Sequence, residues 1–382
     1  MWRSVASNGL SFLLVVLFFL GAVVLWGQNQ YMAAGPLDQP ICLRVEKGSD
    51  MKRVSRTLLS SGAIENDIIF RIGVGYAEKA EQLKAGSFLI PIAASMGSIA
   101  DLVTRSGAST CGTEIVYRIG VTRTLIQVRE LDPQTNRFEK RAEFNAADVV
   151  APEIFIRARS QDDTRFRILM AEGVTSWQVL QMLSAIDPLN GEVELPLEGS
   201  LAPNSYEIRV GEDRRDVILR MQAAQSLTLE TAWQNRAEGL PLKSPQEALI
   251  LASIVEKETG LANERRQVAS VFINRLRRGI RLQTDPAVIY GITKGEKVLG
   301  RGLRRSELDR KTPWNTYLID ALPPTPIANP GKASIEAVLN PDTTKLLFFV
   351  ADGTGGHAFA ETLGSHNANV KKWRALKADQ SK

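Results

Sequence analysis

From Phe12 to Trp26 the chain runs for fifteen residues without a charged side chain. Leu10 extends the run if Ser11 is tolerated. A helix needs about twenty apolar residues to cross a bilayer core, with a range of about 17–25. The run therefore reads as a short membrane span or as the core of a long signal peptide. No clear small-residue cleavage site follows, and Met32-Ala33-Ala34 is a weak version of one. We take an uncleaved anchor over residues 10–28, with residues 1–9 in front of it. Arg3 precedes the span, whereas the flank from Gly27 to Pro40 carries only Asp38. That bias places the amino terminus in the cytoplasm and the rest of the chain outside. No second long apolar run occurs, so a single-pass protein with a large exported body is expected.

An exported body makes the two cysteines readable. Cys42 and Cys111 could be bridged in an oxidising compartment or could be two buried thiols. The two histidines, His357 and His366, and two cysteines among 382 residues are too few and too scattered for a zinc cluster. Phosphate-loop and dinucleotide glycine fingerprints are missing. Neither a metal nor a cofactor is therefore expected. The excess of 47 basic over 42 acidic residues is too small for a dedicated nucleic-acid binder. An anionic partner of another kind remains compatible.

Beyond the linker at Tyr31 to Gln39, ICLRV reads as a strand before a turn at Gly48. Ser49 then caps a helix through MKRVSRTLLSSG. A second helix covers Glu65 to Tyr76, LKAGSFLIP is turn plus strand, and MGSIADLVTRSG is a short helix with Ser98 as cap. Together these make a compact α/β module over residues 41–110. Residues 111–168 differ. YRIGV, RTLIQVREL and EIFIRARS alternate and are rich in β-branched residues, so we read a β-rich insertion. Residues 169–243 form a connecting subdomain, in which Thr175 caps a helix after the strand FRILM. A long helix follows from Gly211 to Trp233.

Residues 244–382 carry the chemistry. In SPQEALILASIVEKETG, Ser244 is an N-cap, Pro245 takes the first helical position and Glu247 completes a capping box. At about 100° per residue, Glu258 aligns with Leu251, Ile254 and Val255. Glu256 points almost opposite, beside Ser253. A carboxyl against apolar packing holds its proton to higher pH, because burial disfavours the charged form. That is what a general acid requires. The plainer reading leaves Glu258 in solvent at the helix end, or paired with an arginine.

The next helix, Glu264 to Arg278, is capped by Asn263 and buries Val268, Val271, Phe272 and Leu276. Asn274 and Arg275 fall beside that stripe. The basic run Arg275, Arg277, Arg278 and Arg281 reads as a solvated face, or as contact with an acidic polymer. Asp285 before Pro286 is either a helix cap or, with Gln283 and Thr284, part of a polar cleft. The Pro-rich loop KTPWNTYLIDALPPTPIANPG is long enough to be functional. Its Asn315 and Tyr317 suit sugar binding, or else they pack the loop on itself. KLLFFVADG and GGHAFAET form a hairpin that carries His357, in a structural or a cleft role.

The run LASIVEKETGLANERRQVASVFINRLRRGIRLQTDPAVIYGI resembles the endolytic murein transglycosylases of the YceG-like family. So do LEGSLAPNSY and RAEGLPLKS upstream, and NTY, LPPTPIANPG, LLFFVADGTGGHAF and SHN downstream. The likeness is dense from Val193 to Trp373 and looser from Ile41 to Gly107, where the module is similar to the family's lysin-motif-like unit. The β-rich insertion departs from the short members. The resemblance implies an α+β protein: an N-terminal transmembrane helix, a lysin-motif-like module, the insertion, and a mixed α+β catalytic domain with a lysozyme-like helical catalytic element. It implies a single-pass inner-membrane lyase, with its bulk in the periplasm, that cuts peptidoglycan glycan strands internally. It also implies glycan-polymerising synthases as partners. The family's catalytic carboxyl, the second glutamate of E-K-E-T, falls on Glu258. By motif position, Asn274, Gln283, Asp285, Tyr290, Asn315, Tyr317 and His357 are candidates for substrate binding. A muramidase-type hydrolase, with Asp285 or Glu256 activating water, and a non-catalytic wall-binding scaffold are the alternatives.

Overall fold

The computed structural model describes residues 2–105, 109–148, 150–161 and 163–380. The protein is mixed α+β with one apolar helix at its N-terminus. It divides into two compact units, one of residues 1–116, 127–144 and 148–165, the other of residues 117–126, 145–147 and 166–382.

The apolar helix α1 (Trp2–Met32) runs into the segment expected to be linker. Strand β1 (Ile41–Val45) follows, then α2 (Met51–Ser60), α3 (Asp67–Tyr76), β2 (Gly86–Ile90) and α4 (Met96–Thr104). β1 and β2 pair antiparallel, with Ile41 opposite Ile90 and Val45 opposite Gly86. The helices form where expected, but their caps differ. Asp50, not Ser49, caps α2 by accepting from the Arg53 N–H. Ser95, not Ser98, caps α4, and it accepts from the Ser98 N–H at 3.1 Å. In each pair both residues are chemically able to cap; Met51 and Met96, the first residues of the two helices, are buried. The expected end of the α4 helix, at Ser106 and Gly107, lies outside the described residues. Leu43, Leu58, Phe70, Ile90 and Ile99 fill the core of this unit. Cys42 and Cys111 are bridged, across a sequence separation of 69.

Strands β3 (Thr113–Ile119), β4 (Thr124–Asp132) and β5 (Arg137–Asn145) come next, then helix α5 (Glu153–Arg159), β6 (Arg165–Met170), α6 (Ser176–Ala185) and β7 (Ser205–Ile208). The sheet order is β5-β4-β3-β6-β7. Two readings of the sequence are corrected here. EIFIRARS is helical: Phe155 and Ala158 are the buried residues, three apart, while Ile154 and Ile156 are exposed. Glu153 and Arg157 close an i,i+4 ion pair at 3.1 Å. The alternating isoleucines were surface residues, so period two misled. Conversely, the highly charged RFEKRAEFN is strand β5. It lies at a sheet edge, where charge is favoured because it discourages further pairing, and Arg141 reaches Glu130 of β4 at 3.0 Å.

The second unit continues with α7 (Arg214–Gln234), α8 (Pro245–Glu258), α9 (Arg265–Arg277), α10 (Asp285–Thr293), α11 (Arg305–Leu308) and α12 (Lys332–Leu339). The antiparallel hairpin β8 (Phe348–Ala351) and β9 (His357–Ala360) and helix α13 (Leu363–Gln380) complete it. Helix α8 is its axis. From Ala248 to Val255 every residue is buried, which marks a helix enclosed on all sides. It packs with Val268 and Phe272 of α9, Ala287 of α10, and Val338 and Leu339 of α12. Its first turn, Pro245 to Glu247, and its last, Glu256-Lys257-Glu258, emerge from this packing.

Candidate active site

Ser244 starts α8 by accepting from the Glu247 N–H, with Pro245 at the first position. Glu247 turns back one residue further than a capping box requires and accepts from the Lys243 N–H at 2.7 Å. The helix ends at Thr259, which leaves Glu258 in the last turn, half-buried. Its Oε1 accepts a hydrogen bond from the Thr284 hydroxyl. Burial pushes the Glu258 carboxyl well above the ordinary carboxylate range. The Thr284 bond opposes this, the Asp285 charge adds to it, and the charges of His357 and Arg275 oppose it.

Thr284 is itself fixed. Its N–H donates to Thr316 Oγ1 at 3.0 Å, and the Thr316 hydroxyl donates back to the Thr284 carbonyl at 3.1 Å. Gln283 donates its N–H to the Thr316 carbonyl and is held at φ 49, an uncommon conformation for a residue with a side chain. Its side chain is exposed. Thr284 is the N-cap residue of α10, so Asp285 lies in the first helical turn rather than at the cap. The Asp285 carboxylate accepts from the Tyr317 hydroxyl at 2.7 Å. Burial, then the bond and charge of Asp285, push the Tyr317 phenol up. His357 donates its N–H to Glu264 Oε1 at 3.0 Å, and its Nδ1 meets Glu264 Oε2 at 2.9 Å. That carboxylate fixes the ring orientation.

Glu258, Thr284, Asp285 and Tyr317 thus converge, with His357 and Arg275 close enough to act on the Glu258 charge. The arrangement offers one carboxyl whose pKa burial raises, a hydroxyl bonded to it, and a phenol beside a second carboxylate. That is equipment for proton transfer to an oxygen leaving group. Among the described residues no cluster of three or more His, Cys, Asp or Glu could hold a metal ion.

The model of the YceG-like family matches residues 43–372. The chain belongs to the YceG-like family. A relative in Bacillus subtilis named endolytic murein transglycosylase is 28% identical over 339 residues, covering 88% of this chain and 86% of the relative. Relatives of that name in Streptococcus pneumoniae are 26% identical, and the chain spans 58% of their length. The crystal structure of a YceG-like protein from Listeria monocytogenes aligns with a TM-score of 0.47 at 23% identity, over 86% of this chain and 98% of that one.

In this family member several residues singled out from sequence have structural duties. Glu256, on the far face of α8, accepts from the Gly331 N–H at 3.0 Å and the Ser334 hydroxyl at 2.7 Å. It holds the start of α12. Replacing Glu256 by Ala strands both donors and is expected to cost about 1–3 kcal/mol, read as a lower denaturant midpoint. Asn274 donates to the carbonyls of Thr344 and Leu346, both at 3.0 Å. Arg275 is buried, not part of a solvated face. It donates to the carbonyls of Leu347 at 2.7 Å and Leu282 at 2.6 Å. Together they fix the approach to β8. Asn315 is fully buried and donates to the carbonyls of Leu308 and Arg310, both at 2.8 Å, so it clamps its own loop. Tyr290 belongs to a separate group. It bonds Glu198, whose carboxyl is pushed up by burial, and lines a hollow of ≈ 300 Å³ with Lys257, Thr175 and Gln178.

Sequence reasoning missed Thr316, Glu264 and Glu198. It also misplaced the start of α9, where Glu264, not Asn263, precedes the first helical residue and makes no capping bond. Each missed residue acts through a partner more than twenty positions away, and no local pattern reports that.

Proposed function

We propose that this protein is a membrane-anchored lytic transglycosylase that cuts inside peptidoglycan glycan strands. The observation that carries the reading is the placement of Glu258 in the last turn of α8, bonded to the Thr284 hydroxyl, where burial raises the pKa of its carboxyl. The relatives' name, endolytic murein transglycosylase, supports the same activity. Protonated Glu258 donates to the oxygen linking N-acetylmuramic acid to N-acetylglucosamine, and positive charge develops at C1 of the muramic acid. The resulting carboxylate takes the proton from the C6 hydroxyl of the same sugar. The C6 oxygen then bonds to C1, closing a 1,6-anhydro ring and regenerating the acid. The leaving N-acetylglucosamine keeps the first proton, so the balance needs no water.

Holding C6 against C1 is a matter of orientation. Gln283, Asp285, Tyr317 and His357 line that position in our reading, while Asn274, Asn315 and Tyr290 hold the elements around it. Removing the phenolic hydroxyl with Tyr317→Phe is expected to lower kcat at least about tenfold, in line with about 1.5–3 kcal/mol for a hydrogen bond to a charged group. Steady-state rates on purified strands would check it. A muramidase would need a second carboxylate to activate water. Glu256 is committed to α12, which leaves Asp285 as the alternative base.

Helix α1 anchors the chain in the inner membrane, with the bulk in the periplasm. Two observations support an anchor over a cleaved signal: α1 is unbroken to Met32, and Tyr31 packs on the core of the first unit. Residues 41–110 act as a lysin-motif-like wall-binding module, residues 111–168 as an insertion, residues 169–243 as a connecting subdomain and residues 244–382 as the catalytic domain with its lysozyme-like helical element. Cleavage beside the membrane would trim or terminate nascent strands, with glycan-polymerising synthases as partners.

Mass spectrometry of strands digested by the full chain in detergent tests the reading. Anhydro-muramic ends, one water lighter than reducing ends, are expected. Reducing ends would establish a hydrolase, and intact strands would point to a scaffold.

A further inference from the structure

The last turn of α1 is seated in two glycine notches. A Cβ on Gly73 of α3 would fall 2.3 Å from the Tyr31 ring, and one on Gly97 of α4 would fall 3.1 Å from Met32 Sδ. The apolar helix therefore packs directly on the first unit. The apolar run ends at Trp26, and five residues at about 1.5 Å each put Tyr31 about 7 Å beyond it. The headgroup layer outside a bilayer core is about 5–7 Å thick on each side. With α1 across the membrane, α3 lies at the level of the headgroups. This step rests on the anchor reading above.

Helix α3 has two apolar faces. Phe70 and Val74 are fully buried in the core. Ile68, Ile72 and Tyr76, spaced i, i+4 and i+8, are 57%, 67% and 91% exposed. By helical geometry this stripe lies next to Gly73 and Ile69, on the side away from Val74. Ile92, also exposed, precedes Ala93, whose backbone bonds Gly35 and Leu37 just after α1. Scattered exposed apolar residues are ordinary. Four of them beside the exit of an apolar helix, three on one stripe, are not scattered.

We propose that Ile68, Ile72 and Tyr76 of α3, with Ile92, form a lipid-docking surface that lies in the boundary between headgroups and acyl chains. The occupant is the bilayer that holds α1, because the last turn of that helix packs on α3 itself, beside the stripe. A helix lying in this boundary with one apolar face buried is a stable arrangement. It seats the first unit on the membrane instead of letting it pivot about α1.

The test uses the full chain in phospholipid nanodiscs. Both native cysteines are bridged, so Ile72→Cys takes a single fluorescent label. Leu20→Cys in α1 and Arg53→Cys on α2 serve as controls. Lipids spin-labelled near the headgroup or deep in the chain quench according to depth. The Leu20 label is expected to be quenched most by the deep probe. The Ile72 label should be quenched severalfold more than the Arg53 label, and most by the shallow probe. Adding Ile68→Asp and Tyr76→Asp should remove that quenching. A quenched Leu20 with Ile72 no different from Arg53 overturns the proposal, as does quenching that survives the two aspartates. An unquenched Leu20 overturns the anchor reading and the proposal with it.

Discussion

Replacing Glu258 by Gln is expected to abolish strand cleavage while leaving the protein folded. General acid–base catalysis contributes about 10²–10⁴-fold, and in the proposed mechanism one carboxyl serves both proton transfers. A loss of about 10³-fold or more, about 4 kcal/mol in the barrier, should appear in kcat. The amide can still accept from the Thr284 hydroxyl, so the packing at the end of α8 should persist. Stability should change in the opposite sense to activity. Burial raises the pKa of Glu258 in the folded state. The contribution of the neutral acid is then fully present below the unfolded pKa and is lost as pH rises through the folded one. Gln never ionises. The variant should therefore gain thermal stability over wild type as pH climbs through that window, and match it in acid. A variant that loses activity and stability together at every pH would mean that Glu258 is structural.

Breaking the Cys42–Cys111 bridge should produce the largest stability loss of any change that leaves the catalytic residues alone. The bridge joins β1 to the segment before β3 across 69 positions. Releasing a loop of that length from the unfolded ensemble is worth about 4 kcal/mol on the chain-entropy account. Cys42→Ser with Cys111→Ser should lower the unfolding free energy of the first unit by that amount, read as a lower midpoint in denaturant titration. Adding reductant to wild type should reproduce the shift. Glu258, Thr284, Asp285, Tyr317 and His357 all belong to the second unit, so turnover on short strands should survive in conditions where both units stay folded. An unchanged midpoint in both experiments would show that the bridge contributes nothing.

How much could be read without coordinates depended on how local the cause was. The start of helix α8 was legible, because its cap and its proline are adjacent in sequence, although Glu247 bonds Lys243 and does not close the expected capping box. The helical wheel separated Glu258 from Glu256, and the structure sends Glu256 to α12 and Glu258 to Thr284. Arg275 was not legible. A basic residue in a run of arginines reads as solvent-facing, and only the distant carbonyls of Leu347 and Leu282 make its burial tolerable. Strand β5 was missed because its charges suit a sheet edge, and edges are set by topology. Helix α5 was misread because its two exposed isoleucines imitate a strand. Asn329 shows the limit most clearly. It donates to the Val174 carbonyl and Ser176 hydroxyl and accepts from the Leu201 N–H, and those partners lie over a hundred positions away.

In the proposed mechanism Glu258 acts as the acid because its surroundings raise its pKa. The pH dependence of kcat/KM on purified glycan strands tests this most directly. The rate is expected to stay high above the ordinary carboxylate range and then to fall as pH rises through the elevated pKa of Glu258. The same limb should shift when Asp285→Asn removes the neighbouring charge, moving to lower pH because that charge raises the Glu258 pKa. A rate that is flat across that range, or that rises as carboxylates ionise, would contradict it.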